Sequence, residues 1–252
     1  MQYTLKKSLG QHFLKDENIL RKIFSALQKH SFERLLEIGA GAGALTKYLL
    51  QLENVDFKTI ELDAEKTEHL LLHYPSLQGK VLQRDFLKSL LPFDKDFIVI
   101  GNFPYNISSQ ILFKILEWKE YVPVVIGMFQ KEVAQRIASK PNNKTYGILS
   151  VLVQAFYTVE YLFDVTPSSF NPPPKVMSGV IELKRKNEAL KMLSEKDFFL
   201  LIKTAFNQRR KKLRNAVRNL FDEDFLKDAI FDKRAEQLTI EDFSALSFKM
   251  KS

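Results

Sequence analysis

The chain has 252 residues, 45% of them hydrophobic, enough to bury a full core as one large domain or as a large and a small one. It contains no cysteine, which excludes disulfides, thiolate nucleophiles and cysteine zinc sites and fits a reducing compartment. The formal charge of +8 favours an anionic partner. No apolar run approaches the roughly 18 residues of a membrane span and no hydrophobic signal follows Lys6 and Lys7, so a soluble, cytoplasmic protein is expected.

In chain order, the basic opening Lys6-Lys7-Ser8-Leu9-Gly10-Gln11-His12-Phe13-Leu14 leads to Asp16, read as the N-cap of a helix whose Ile19, Leu20, Ile23, Phe24 and Leu27 recur at helical spacing. Arg34 to Ile38 read as a buried strand running into Gly39-Ala40-Gly41-Ala42-Gly43, and Leu45, Leu49 and Leu50 continue as a helix. Strand, glycine loop and helix in that order make a nucleotide-binding turn. Val55 to Ile60 are the next strand, closing on Glu61-Leu62-Asp63 ahead of a helix over Ala64 to Leu72. A short strand at Val81-Leu82 ends at Asp85-Phe86, Phe97 to Ile100 are another strand, and a helix capped by Ser108 or Ser109 runs to Trp118. Pro123 to Phe129 are a fifth strand, followed by a helix near Glu132 to Ala138. This alternation predicts an α/β fold with a Rossmann-like, mostly parallel sheet. His69 and His73 stand i,i+4 near Glu65 and Glu68, but without HExxH they read as a solvated helix face, and no metal is expected.

The segment 140–147 reads as a loop, and Ile148 to Tyr157 and Val176 to Leu183 as two strands, antiparallel at the sheet edge because no helix joins them. Between them a proline-stiffened loop, Phe163 to Pro174, carries two aromatics, Phe163 and Phe170. A linker at Lys184 to Glu188 sets the expected boundary: a catalytic domain over 1–186 and a small all-helical domain over 187–252. There Ser194 and Asp197 mark a helix start, Phe198, Leu201, Ile202 and Phe206 form its stripe, and short helices follow around Leu213 to Leu220 and Asp224 to Ile230. Lys203, Arg209, Arg210, Lys211, Lys212, Arg214 and Arg218 lie in this part with no acid among them. Such a run suits nucleic acid or an acidic membrane surface.

The glycine loop also fits GxGxxA, with Glu61 suitably spaced for a ribose, so a dinucleotide enzyme is one reading. Glu37, two residues before Gly39, argues against it, because a carboxylate repels a pyrophosphate in a poorly solvated cleft. Glu37, Glu61 and Asp85, each near the end of one of three successive strands, instead form an acidic rim suited to a cationic amino acid joined to a nucleoside, S-adenosylmethionine. A strand-end acceptor at Glu37 and helix caps at Glu61 and Asp85 are the plainer alternatives. In the cofactor reading Glu61 accepts both ribose hydroxyls, Asp85 takes the adenine amino group, Phe86 or Leu62 lies against the ring, and Gly39 and Gly41 admit the backbone closely.

The next strand ends in Gly101-Asn102-Phe103-Pro104-Tyr105, where Pro104 stiffens an extended turn. The Asn102 oxygen and the Phe103 carbonyl can accept both hydrogens of an adenine amino group, drawing the nitrogen toward tetrahedral geometry and freeing its electron pair for a methyl, while Tyr105 stacks on the base. A base paired in a duplex cannot reach this geometry, so the target is unpaired or flipped.

With Gly10-Gln11-His12-Phe13-Leu14, Leu36-Glu37-Ile38-Gly39-Ala40-Gly41, Ile60-Glu61-Leu62-Asp63, Gly101 to Asn106, Phe170 to Val176 and Phe206 to Lys211 in order, the chain resembles the bacterial ribosomal RNA adenine dimethyltransferase family over nearly its whole length. The triple proline and Gln208-Arg209-Arg210 favour its small-subunit branch. The resemblance implies conversion of two adjacent adenosines near the 3′ end of 16S rRNA to N6,N6-dimethyladenosine, in the small subunit or its precursor, and a monomeric enzyme is expected. It also implies that His12 and Leu14 line the cofactor cleft beside Gly39, Glu61, Asp85 and Asn102, that Phe170 packs on the target base opposite Tyr105, and that the basic tail lies along RNA phosphates. His12 stands where asparagine is common, Phe103 where leucine is common, and Met177 where a small polar residue often follows the proline loop. Competing readings are the antibiotic-resistance branch acting on 23S rRNA, a DNA adenine methyltransferase and a non-catalytic RNA-binding assembly factor.

Overall fold

The computed structural model describes residues 12–251, so Lys6, Lys7, Gly10 and Gln11 of the opening segment lie outside the described residues. A short strand β1 (Phe13–Leu14) precedes α1 (Glu17–Leu27), which starts where the N–H groups of Asn18 and Ile19 donate to the Asp16 carboxylate at 3.0 and 3.4 Å. Strand β2 (Arg34–Ile38) is followed by a short α2 (Thr46–Leu49), β3 (Asp56–Glu61), α3 (Ala64–His73), β4 (Val81–Gln83), β5 (Ile98–Asn102), α4 (Ser108–Glu117), β6 (Val124–Gln130) and α5 (Lys131–Ile137). The remainder is α6 (Ile148–Phe156), β7 (Tyr157–Val165), β8 (Phe170–Asn171), β9 (Ser178–Arg185), α7 (Glu195–Asn207), α8 (Leu213–Val217) and α9 (Ile240–Ser247).

Seven strands form one sheet in the order β4-β3-β2-β5-β6-β9-β7, and β1 pairs antiparallel with β8 apart from it. Strands β4, β3, β2, β5 and β6 are mutually parallel, so their carboxyl ends share one edge, while β9 runs antiparallel to β6 and β7 takes the outer edge. The α/β, mostly parallel sheet is as expected. The central strands β5 and β6 are nearly continuous apolar runs, since side chains such as Ile98, Ile100 and Ile126 are fully covered.

The segment Ile148–Phe156 is a helix, where the sequence suggested a strand. It buries Leu149, Val151, Leu152, Val153 and Ala155, so apolar residues point to most sides, and its β-branched content reads as a strand. The signal for its start is Gly147, whose N–H donates to Ser150 Oγ at 2.9 Å. This helix also changes the partition of the chain. One compact unit comprises the described residues up to Ala134 with Glu160–Arg185, and the other Gln135–Val159 with 186–251. The last crossing between them falls between Arg185 and Lys186, and the segment Gln135–Val159 belongs to the second unit. In the second unit Ser194 caps α7, its Oγ accepting the Asp197 N–H at 3.0 Å. Among the described residues no helix is long and apolar enough to cross a membrane, and no group of three His, Asp or Glu could hold a metal.

Candidate active site

At the carboxyl edge of the parallel strands a cavity of about 250 Å³ is lined by all nine residues assigned above to the cofactor and by the turn from Asn102 to Tyr105. The glycine loop and that turn are neighbours: a Cβ built on Gly39 would lie 3.7 Å from Pro104 Cδ and 3.9 Å from the Asn102 carbonyl oxygen. Gly39 itself has φ +74°, a left-handed conformation that favours glycine.

The N–H groups of the three loop glycines are engaged within the protein, that of Gly39 by the Ile60 carbonyl at 2.9 Å. The Gly41 N–H donates to Glu61 Oε2 at 3.0 Å and the Gly43 N–H to the Ala40 carbonyl at 2.9 Å. The other Glu61 oxygen accepts the Asp63 N–H at 3.0 Å, so the carboxylate is fixed while each oxygen retains a second acceptor site. A dinucleotide loop needs its N–H groups for pyrophosphate; this one offers a carboxylate instead, which suits ribose hydroxyls. Asp85 does two things at once. Its Oδ1 accepts the Leu87 N–H at 2.9 Å, capping the turn Phe86–Lys88, and no described hydrogen bond ends on Oδ2. Phe86 is buried edge-on against Trp118, with ring centroids 5.2 Å apart, and makes a rigid wall; Leu62 is 54% exposed at the mouth.

Glu37 departs from the expected acidic rim. It is 1% exposed, lines the same cavity and accepts the Thr46 hydroxyl at 2.7 Å. Burial pushes its carboxyl up to about 8, against the downward pull of the Thr46 bond, and the charge of Glu61 adds to the rise. Near neutral pH it therefore holds its proton. The acceptor-rich donor set and the backbone approach at Gly39 fit S-adenosylmethionine.

Asn102 closes β5 opposite Met128. Its Nδ2 donates to the His12 carbonyl at 3.2 Å, which leaves Oδ1 without a described partner. The Phe103 N–H donates to the Met128 carbonyl at 3.2 Å, and no described hydrogen bond ends on the Phe103 carbonyl. The Phe103 ring is buried over Gly101 and Gly127, which pair across β5 and β6, and packs edge-on to Phe129 at 5.1 Å. Phenylalanine in place of leucine is thus a peg over two glycines. Tyr105 is half-buried, its hydroxyl 2.5 Å from Ser178 Oγ and its ring centroid 5.9 Å from that of His12. Burial raises the Tyr105 phenol despite Ser178, so it stays neutral.

Several expectations are corrected here. Ser108 is not a side-chain cap: α4 starts at Ser108 with Ile107 before it, and Ser108 Oγ donates to the Tyr105 carbonyl at 3.2 Å. Phe170 is 1% exposed and does not line the cavity; β8 pairs it with Leu14, and it joins a core with Leu14 and Leu20. Met177 acts through its backbone, its carbonyl accepting the Lys131 N–H at 2.9 Å. Sequence reasoning missed Thr46, Ser178, Lys66 and Arg84. Lys66 is 7% exposed in the cavity wall, its ammonium 5.1 Å from the Phe13 ring centroid, on a helix whose face had read as solvated.

A family model described as ribosomal RNA adenine dimethylase matches residues 2–250. The chain belongs to this family. It is an S-adenosylmethionine-dependent enzyme. The dimethylase is 52% identical over 251 residues to the ribosomal RNA small subunit methyltransferase A of Flavobacterium johnsoniae, covering 98% of this chain and 96% of that one. It is 51% identical to that of Cytophaga hutchinsonii, covering 96% and 95%. Among solved structures, a dimethyladenosine transferase from Plasmodium falciparum superposes with TM-score 0.78 at 28% identity, covering 92% of this chain and 94% of that one. The 23S rRNA methyltransferase ErmE shares the fold at TM-score 0.72 and 21% identity, covering 94% and 99%.

The basic segment of the dimethylase is less uniformly available than its sequence suggests. Arg209 Nε donates to Glu236 at 2.5 Å and its guanidinium also reaches the Asn143 and Lys144 carbonyls. Lys212 and Arg214 both reach Asp232 at 2.7 Å. Arg210, Lys211 and Arg218 are exposed with no described carboxylate partner, and Lys203 is exposed on α7.

Proposed function

We propose that this enzyme dimethylates N6 of two adjacent, unpaired adenosines near the 3′ end of 16S rRNA, in the small subunit or its precursor. The observation that carries the reading is the orientation of Asn102: with its NH2 held by the His12 carbonyl, Oδ1 is left to accept, beside a Phe103 carbonyl that no described group occupies. These two acceptors take the two hydrogens of an adenine N6 and turn its electron pair toward the cofactor cleft, while Tyr105 covers the base. S-adenosylmethionine, when bound, supplies an electrophilic methyl on a sulfonium. Gly39, Glu61 and Asp85 would hold its nucleoside end, and Glu37 would meet its cationic end. No strong base is required, because the N6 proton becomes acidic once the nitrogen is alkylated and leaves to water.

The choice of substrate is supported by the small-subunit names of the relatives at 52% and 51% identity. Arg210, Lys211 and Arg218 are the cations we assign to RNA phosphates, and the enzyme acts as a cytoplasmic monomer. Incubation with methyl-labelled cofactor and separated ribosomal subunits tests the reading. Label is expected in the small subunit; label confined to the large subunit would assign the chain to the antibiotic-resistance type instead.

A further inference from the structure

A stacking ring needs no hydroxyl, yet the Tyr105 hydroxyl is paired at 2.5 Å with the hydroxyl of Ser178, a side chain with no exposed surface. Ser178 is the first residue of β9 and does not line the cofactor cavity. The other end of the tyrosine is fixed by Pro104 before it and by Ser108 Oγ on its carbonyl. On its flank, His12 Nδ1 lies 2.9 Å from the Pro172 carbonyl, which requires that nitrogen to carry the proton and donate. The same residue's backbone carbonyl holds the Asn102 amide. The base platform and the acceptor are thus anchored by two residues, His12 and Ser178, that bond respectively to the proline loop and to the tyrosine.

We propose that Ser178 and His12 are positioning residues whose contribution is greatest in the second methyl addition. The inference rests on the adenine dimethylation proposed above. An unmodified N6 presents two hydrogens to two acceptors, which align it. After one methyl is attached only one hydrogen remains, one acceptor faces a methyl group, and the attack angle depends on how firmly the ring platform holds the base. Loosening Tyr105 therefore slows the second addition more than the first.

The test measures N6-monomethyl- and N6,N6-dimethyladenosine by mass spectrometry during turnover of small subunits lacking the modification, with cofactor affinity measured by calorimetry in parallel. Ser178→Ala and Tyr105→Phe break the same hydrogen bond from opposite ends. Each is expected to slow the second addition by roughly ten- to hundredfold, with a smaller effect on the first, so that the monomethyl product accumulates. The double variant is expected to be no worse than either single one. His12→Ala is expected to accumulate monomethyl product as well, and His12→Asn, which keeps a donor toward Pro172, to recover. A fold defect that merely reduces the active fraction slows both additions equally and leaves the product ratio unchanged. An unchanged ratio in Ser178→Ala and Tyr105→Phe, or losses that multiply in the double variant, would overturn the proposal. If Ser178→Ala fails to bind cofactor, Tyr105→Phe decides alone. A wild-type enzyme that forms no methylated adenine at all would instead refute the function on which the inference rests.

Discussion

Replacing Glu37 by glutamine separates the requirement for a buried carboxyl from the requirement for a buried hydrogen-bond acceptor. In the unfolded chain this carboxyl ionises near 4.5, while in the folded, cofactor-free protein burial holds its proton up to about 8. Between those values the native state binds one proton more than the unfolded state, so stability falls as pH rises, by about 1.4 kcal/mol per pH unit from this group alone. From pH 5.5 to 7.5 the loss is about 3 kcal/mol, and above pH 8 the curve is flat again. Glutamine keeps an acceptor for Thr46 and has nothing to titrate. Groups common to both proteins cancel in the difference between their curves, including the lowered carboxylates of Asp16, Asp164 and Glu182. Urea unfolding of the cofactor-free proteins from pH 5.5 to 8.5 should therefore show the wild type converging downward on, or crossing, the variant. Cofactor binding has the matching signature. A cation beside Glu37 favours its ionised form, so binding near pH 7 releases close to one proton in the wild type and none in Glu37→Gln, read from the dependence of binding heat on buffer ionisation enthalpy. Parallel stability curves together with buffer-independent heats would refute the reasoning.

Asn102→Ala is expected to abolish methyl transfer, a loss of at least about a thousandfold, while RNA binding measured by filter retention stays within about twofold. Arg210→Ala and Lys211→Ala should each reduce the slope of log affinity against log salt by about one and leave the melting temperature unchanged, whereas Arg209→Ala should lower the melting temperature by unpinning Glu236 and the 143–144 carbonyls. Gly127→Ala places a Cβ 2.5 Å from the Phe103 ring and should destabilise by about 1–3 kcal/mol in denaturant titration; adding Phe103→Leu should restore part of it.

The sheet was legible because its parallel strands are short segments with apolar cores and Gly39, Glu61, Asp85 and Asn102 stand at or just beyond their carboxyl ends, where such sheets bind ligands. Most of the cleft could be read for the same reason. Helix α6 could not, because Ile148, Val151 and Val153 carry a strand's chemistry in a segment buried on most sides. The state of Glu37 depends on how completely neighbours cover it, which spacing does not encode. Ser178 and Tyr105 are 73 residues apart, so their bond is a consequence of where β9 lies in the sheet. Phe170 was ambiguous because an aromatic in an extended proline loop has the same sequence signature whether it faces a ligand or packs into the core, where it lies here. The run of cations gave the sign of the surface, but Glu236 and Asp232, distant in sequence, decide which cations remain free for phosphate.

The most direct measurement is nucleoside and fragment mass analysis of 16S rRNA from unmodified small subunits treated with this enzyme and S-adenosylmethionine. The expected result is N6,N6-dimethyladenosine at two neighbouring positions near the 3′ end, absent when Asn102 is alanine. Methylation at a ring nitrogen or a ribose, or dimethyladenosine formed equally well by Asn102→Ala, would contradict the claim that a fixed amide and a backbone carbonyl hold the adenine amino group for methyl transfer.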